Sequence, residues 1–233
     1  MRTLILIPAH NEASSLPLLL REIRECGYDA ILIDDASRDN TAEIAQHMGF
    51  PVISLPVNLG IGGTVQTGFI YALRNNYDIA VQIDGDGQHN PSYISSVIKP
   101  IIDGKADCVI GSRYLPLQPD TDYKTPFSRR LGMYFSSMIL KLACGLHIYD
   151  TTSGFRALNK NAFSYFSLNY PVDHPEAEAL LMLIQDGFRI KEVPIKMRGR
   201  TTGKSLFTFV IAIFYPLRVM VGFVANLGIR LKE

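Results

Sequence analysis

Apolar positions along the chain follow two rhythms. Short continuous runs, TLILIP (3–8), AILID (30–34), PVISLP (51–56), IAVQID (79–84) and DCVIGS (107–112), have the length of strands buried on both faces. Between them the spacing turns helical. Leu16, Leu19, Leu20, Ile23 and Cys26 share one face, with Ser15 as N-cap and Pro17 in the first turn. A capped helix is expected within 37–48, another over Gly62–Arg74, and a third from Asn90-Pro91 through Ile102. Strands alternating with helices predict an α/β chain with a parallel, doubly wound sheet. Its ligand then belongs beyond the carboxyl ends of the strands.

The residue types at those ends agree. The first strand runs into Pro8-Ala9-His10-Asn11-Glu12, the second into Asp34-Asp35-Ala36-Ser37, the fourth into Asp84-Gly85-Asp86 and the fifth into Gly111-Ser112-Arg113. One polar cluster is ordinary loop chemistry. Four at one edge of a sheet indicate a site.

Composition narrows the class. At 233 residues and 47% hydrophobic, one large domain is expected rather than two small ones. A net charge of +1 argues against a nucleic-acid footprint spread over the whole surface, leaving only local basic clusters. The opening MRTLILIPAHNE turns polar after a strand-length run, so no signal peptide and a cytosolic location are expected. Cys26, Cys108 and Cys144 have no CxxC spacing and are expected as buried, reduced thiols. Two phosphate-loop look-alikes fail on spacing. GRTTGKS (199–205) has three residues between its glycines where a P-loop has four, and Val65 stands where a dinucleotide fingerprint needs its third glycine. A dehydrogenase is thereby disfavoured.

The stretch VQIDGDGQH (81–89) carries the most chemistry. In an extended strand Asp84 and Asp86 point to the same side, with Gly85 opposite. Two carboxylates so placed repel and need a compensating cation or a proton. Mg²⁺ or Mn²⁺ takes oxygen ligands and keeps positions for phosphate oxygens, while Gly85 and Gly87 let a bulky ligand approach. An Asp-Gly turn alone would also explain one such pair.

The ordered series PAHNE, DDAS, NLGIGG, DGDGQH, GSRY, DTTSGFRA and GKS, from Leu4 to about Ser205, resembles the family-2 glycosyltransferases of the GT-A fold, above all dolichol- and polyprenyl-phosphate sugar synthases. The resemblance implies a Rossmann-like, mostly parallel sheet flanked by helices, and inverting transfer from a nucleotide sugar, UDP preferred, with Mg²⁺ or Mn²⁺. By that likeness Pro8, Ala9, Asn11 and Glu12 line the nucleotide pocket and Asp35 lies near the base or ribose. Gly60, Gly62 and Gln66 fall where a loop closes over the donor. Asp84 sits near ribose and metal, Gly85 beside it, and Asp86 holds the metal against the diphosphate with Gln88 nearby.

Beyond the donor half, Arg113, Arg129, Arg130, Arg156 and Arg200 are read as loop positions, and guanidinium groups grip phosphate in a bidentate fashion. In the family, arginines at the positions of Arg113, Arg129 and Arg200 contact the lipid phosphate, and Arg198, Arg200 and Lys204 suit a basic gating segment. A phosphate monoester is already ionised near neutral pH and needs no strong base. A sugar hydroxyl would need one, and Asp150, Asp173, Glu176 and Glu178 are the candidates. Glu176 and Glu178 would lie in the first turn of a helix opened by Pro175, where the helix dipole alone explains acids. The HPEAE segment (174–178) looks nearer to bacterial polysaccharide-assembly transferases, which leaves two acceptors open: a polyprenyl phosphate, or a diphospholipid already bearing a sugar. A third reading is an inactive nucleotide-sugar-binding scaffold subunit.

Residues 1–205 form the expected catalytic domain and 206–233 an apolar tail, charged between Leu206 and Ile229 only at Arg218. Pro216 and Arg218 interrupt its middle, which disfavours a single span. Two amphipathic helices lying in the membrane interface fit its aromatics and its basic end, giving a peripheral enzyme on the cytoplasmic membrane face. A helix packed on the domain's own core, or a contact in a homo-oligomer, is the alternative.

Overall fold

The computed structural model describes residues 1–115, 146–171 and 175–199, with the side chains of Pro175 and Glu176 outside that description. The elements run β1 (Thr3–Ala9), α1 (Leu16–Glu25), β2 (Asp29–Asp34), α2 (Thr41–His47), β3 (Val52–Ser54), α3 (Gly60–Arg74), β4 (Ile79–Gln82), α4 (Ile94–Ile102), β5 (Cys108–Ser112), β6 (Arg156–Asn159), α5 (Lys160–Leu168), α6 (Pro175–Gln185) and β7 (Ile190–Pro194). The sheet order is β3-β2-β1-β4-β6-β5-β7. Among the described strands, only β6 runs antiparallel to its neighbours β4 and β5. The fold is the expected α/β class with a mostly parallel sheet; β6 and β7 are additions that the strand pattern did not reveal.

Alternation along the strands builds two cores. Leu4, Leu6, Ile31, Ile33 and Ala80 face Val65 and Phe69 of α3 and Phe163 and Phe166 of α5. Ile5, Ile7, Leu32, Val81 and Ile83 face Leu19, Leu20 and Ile23 of α1 and Val97 and Ile98 of α4. Burial on both faces is why these strands read as continuous apolar runs.

Local details differ from expectation in ways that matter for the site. Ser15 does occupy the N-cap of α1 but makes no capping bond; its hydroxyl donates instead to the Gly85 carbonyl at 2.9 Å. The helix expected from Gly62 begins at Gly60, whose φ of 73° suits glycine. Asn90 caps a 3₁₀ turn, Pro91–Tyr93, that feeds α4. β4 ends at Gln82 rather than Asp84, yet Ile83 and Gly85 still donate to the carbonyls of Leu6 and Pro8, at 2.9 and 3.1 Å. The chain stays laddered through Gly85 and turns at Gly85-Asp86. Strand alternation therefore places Asp84 but not Asp86.

Arg129, Arg200, Arg130, Lys204, Asp173, Cys144 and the tail 206–233 lie outside the described residues, as does the side chain of Glu176. Cys108 is buried, and desolvation pushes its thiol up to about 11, the environment of an inert thiol. Among the described residues no helix is long and apolar enough to cross a membrane.

Candidate active site

The four polar clusters named at the strand ends meet at one edge of the sheet. The carboxyl ends of β1, β2, β4, β5 and β7 open there, and antiparallel β6 starts there, so residues 150–155 arrive at the same edge. The start of α3 joins them.

At the ends of β1 and β2 the backbone is held in unusual conformations. Asn11 and Ala36 have φ of 56° and 53°, a region that asparagine tolerates and that is costly for alanine. Asn11 donates its backbone N–H to Ser37 at 2.9 Å and its side-chain oxygen accepts from the Arg38 N–H at 2.8 Å. Both carboxylate oxygens of Asp35 are engaged at the start of α3, accepting from the Leu59 and Gly60 N–H groups at 2.7 and 3.0 Å. A buried anion at a helix N-terminus is the favourable arrangement. His10, not singled out from the sequence, bonds through Nδ1 to the Asp35 carbonyl at 2.7 Å. Glu12 donates its backbone N–H to the Thr41 hydroxyl at 2.9 Å. Gly85 lies so close to β1 that a Cβ would stand 2.9 Å from the Ala9 Cβ and 3.2 Å from the Pro8 carbonyl. Gly62 is buried within α3, and the Gln66 amide donates to the Ser167 carbonyl at 3.3 Å. Gln66 thus ties α3 to α5 rather than pointing to the edge loops.

The carboxylate pair sits in the middle. Gln82 donates to Asp84 Oδ1 at 3.0 Å, and the buried His89 places Nδ1 3.4 Å from the Asp84 N–H. Asp86 accepts the Gln88 N–H at 3.0 Å across the turn. The Gln88 amide nitrogen faces the Arg198 carbonyl at 3.4 Å, and the Arg198 N–H returns to the Gln88 carbonyl at 2.9 Å. The strap after β7 is also held by Arg198 to Glu22 of α1, at 2.8–2.9 Å. Beside Asp86 and this strap lies a cleft of about 110 Å³. The larger cavity, about 270 Å³, is lined by Leu4, Asp29 and Ala30 at the opposite, amino-terminal edge, away from these groups.

On the other side, Arg113 and Asp150 form one buried unit. Arg113 Nε and Nη2 donate to the two oxygens of Asp150, each at 2.7 Å, and the Arg113 backbone N–H adds a bond of 3.0 Å. Thr152 accepts from the same guanidinium at 2.8 Å. Glu192 of β7 accepts the Tyr149 and Asp150 N–H groups at 2.8 and 2.9 Å; burial pushes its carboxyl above the ordinary range despite these donors. Asp150, a candidate base in the sequence, is here the partner of Arg113, a candidate acceptor-binding residue. Arg156, read there as a loop cation, is buried in β6 and donates to the Ser153 and Thr151 carbonyls at 2.9 and 3.0 Å. A cation spent on two carbonyls braces a loop.

Residues 4–166 match the sequence model of the Glycosyl transferase family 2. The chain belongs to this family. It is a family-2 glycosyltransferase, and relatives align along nearly its whole length. It is 32% identical to the undecaprenyl-phosphate mannosyltransferase of Micrococcus luteus, over 88% of this chain and 87% of that one. To the polyprenol monophosphomannose synthase of Mycolicibacterium smegmatis it is 31% identical, over 88% and 80%. To the UDP-N-acetylglucosamine–dolichyl-phosphate N-acetylglucosaminyltransferase of Methanococcus voltae it is 33% identical, over 82% and 84%. Its fold matches glucosyl-3-phosphoglycerate synthase of Mycobacterium tuberculosis, solved with Mn²⁺, UDP-glucose and phosphoglyceric acid, with a TM-score of 0.74 at 19% identity, over 97% of this chain and 80% of that one. The transferase therefore shares the GT-A architecture expected of it.

Proposed function

We propose that this transferase moves a hexose from a UDP-sugar to a polyprenyl phosphate, with inversion, at the cytoplasmic face of the membrane. The observation that carries the reading is kinship over most of both lengths with three enzymes named for sugar transfer to a lipid phosphate. The locked Asp150 removes one of the candidate bases that a hydroxyl acceptor would need. A hydroxyl acceptor needs a base, and a carboxylate with both oxygens on a guanidinium is a poor one.

The edge residues fit a divalent cation. Asp84 and Asp86 supply two carboxylates, Gln88 supplies an amide whose nitrogen is taken by Arg198, and the glycine at 154 leaves the room that a Cβ would fill beside Asp84. Such a donor set suits a hard cation that completes its shell with diphosphate oxygens. Bound there, Mg²⁺ or Mn²⁺ supplies Lewis-acid stabilisation of the departing diphosphate. The rest falls to the chain. The β1 and β2 loops and the α3 start, fixed by Asp35, seat the nucleotide. The Arg113 guanidinium, neutralised by Asp150, is held rigidly at the acceptor side with its charge already paired. A phosphate oxygen of the acceptor attacks the anomeric carbon, the bond from that carbon to the diphosphate oxygen breaks, and UDP leaves with the electron pair. No proton has to be removed from the nucleophile. Residues 206–233 would hold the enzyme at the interface where its lipid acceptor lies.

The test is transfer of labelled sugar from a panel of UDP- and GDP-sugars to undecaprenyl phosphate in membranes with Mn²⁺, beside Asp86→Ala. Metal-dependent lipid-linked product, absent with Asp86→Ala, is expected from a UDP-sugar. A product of equal yield with Asp86→Ala or in chelator overturns the cation assignment.

A further inference from the structure

Gly154 stands where the chain re-enters the site edge ahead of β6. A Cβ built on it would lie 2.9 Å from both Cγ and Oδ1 of Asp84, and closer still to Oδ2. Its φ is outside the left-handed region. A methyl here would meet the Asp84 carboxylate first, which would have to rotate to admit it. The Asp84 carboxylate accepts from Gln82 on Oδ1 at 3.0 Å, and its Oδ2 lies 3.9 Å from His89 Nδ1.

The same short loop grips the other half of the site. Asp150 and Thr152 hold the Arg113 guanidinium, and Ser153 donates to the Gly111 carbonyl at 2.7 Å. Arg156 ties the loop back on itself through the Thr151 and Ser153 carbonyls. Five residues thus touch the Asp84 carboxylate at one end and the Arg113 guanidinium at the other. We propose that Gly154 is a positioning residue that sets the rotation of the Asp84 carboxylate, and that the 150–154 loop aligns the donor-side carboxylate and the acceptor-side arginine as one unit. The inference rests on Asp84 being a cation ligand. Groups that orient a ligand typically govern 10–100-fold in metal affinity.

The experiment is a double-mutant cycle read by Mn²⁺ binding in the presence of UDP, using the paramagnetic resonance signal of free Mn²⁺, with thermal melts of each variant. Wild type, Gly154→Ala, Asp84→Ala and the double variant are compared. Gly154→Ala is expected to weaken Mn²⁺ binding about tenfold or more, and to leave melting unchanged in the Asp84→Ala background, where no carboxylate meets the new methyl. If Gly154→Ala binds Mn²⁺ like wild type, or shifts melting equally in both backgrounds, the positioning role is overturned while the cation reading stands. If wild type binds no Mn²⁺, both fall. Should Gly154→Ala alone not fold, folding of the double variant supports the contact, and failure of both overturns it.

Discussion

Replacing Asp150 by asparagine separates a brace from a base. The side chains of Arg113 and Asp150 are 3% and 0% exposed, and three hydrogen bonds of 2.7–3.0 Å join the two residues. Asp150→Asn keeps the shape but removes the charge and turns an NH₂ group toward the guanidinium. Breaking a buried pair from one side costs about 3–5 kcal/mol, because the remaining charge keeps its desolvation penalty. Against a total stability of about 5–15 kcal/mol that is a large fraction. In a chain of this size each kcal/mol moves the melting temperature by about 2–4 °C. A drop of roughly 6–20 °C is expected. Replacing both partners by apolar residues, Arg113→Met with Asp150→Leu, should recover much of that loss without restoring transfer. The assay is calorimetric melting and sugar transfer on the same preparations. An Asp150→Asn protein that melts within about 2 °C of wild type while kcat falls a hundredfold would refute the brace and make Asp150 a base.

Two further outcomes follow from the same geometry. Asp35→Ala strands the Leu59 and Gly60 N–H groups at the start of α3, which should cost about 1–3 kcal/mol and raise the KM for the nucleotide sugar more than it lowers kcat; unchanged KM with a normal urea midpoint contradicts the role. Asp107 is held by the Arg189 guanidinium below its ordinary value of 3.8, through bonds of 2.9 and 3.0 Å. A lowered folded pKa contributes stability that is present above pH 3.8 and is lost as pH falls through the folded value. Asp107→Asn should flatten the acid limb of urea midpoints measured against pH, and an unchanged acid limb would count against this linkage.

What could be read from the chain, and what could not, divides by distance in sequence. β1, β2, β4 and β5 were legible because burial on both faces leaves no polar position to interrupt them. β7 was not, since IKEVP is an edge strand with exposed Lys191 and half-buried Glu192, and β6 has only four residues, one of them Arg156. The edge where these groups gather followed from strand polarity, but the Asp84–Asp86 spacing, read as strand alternation, placed only Asp84, because the chain turns at Gly85-Asp86. The pairings that shape the site were hidden: Arg113 with Asp150 spans 37 positions and Glu22 with Arg198 spans 176. Those contacts are products of the fold, so an arginine in a loop-like stretch looks the same whether it meets substrate or a buried aspartate. Gly154 carried a signal only in hindsight, as a small residue in TTSGFR whose neighbour is unknown until Asp84 is placed.

The central claim is that the nucleophile is a lipid monophosphate. Undecaprenyl phosphate and a sugar-bearing undecaprenyl diphosphate, offered side by side with the best UDP-sugar and Mn²⁺, test it most directly. Labelled product on the monophosphate alone, of inverted anomeric configuration by its one-bond carbon–hydrogen coupling, is the predicted result. Label entering only the sugar-bearing diphospholipid would contradict the account and place a general base at the acceptor side.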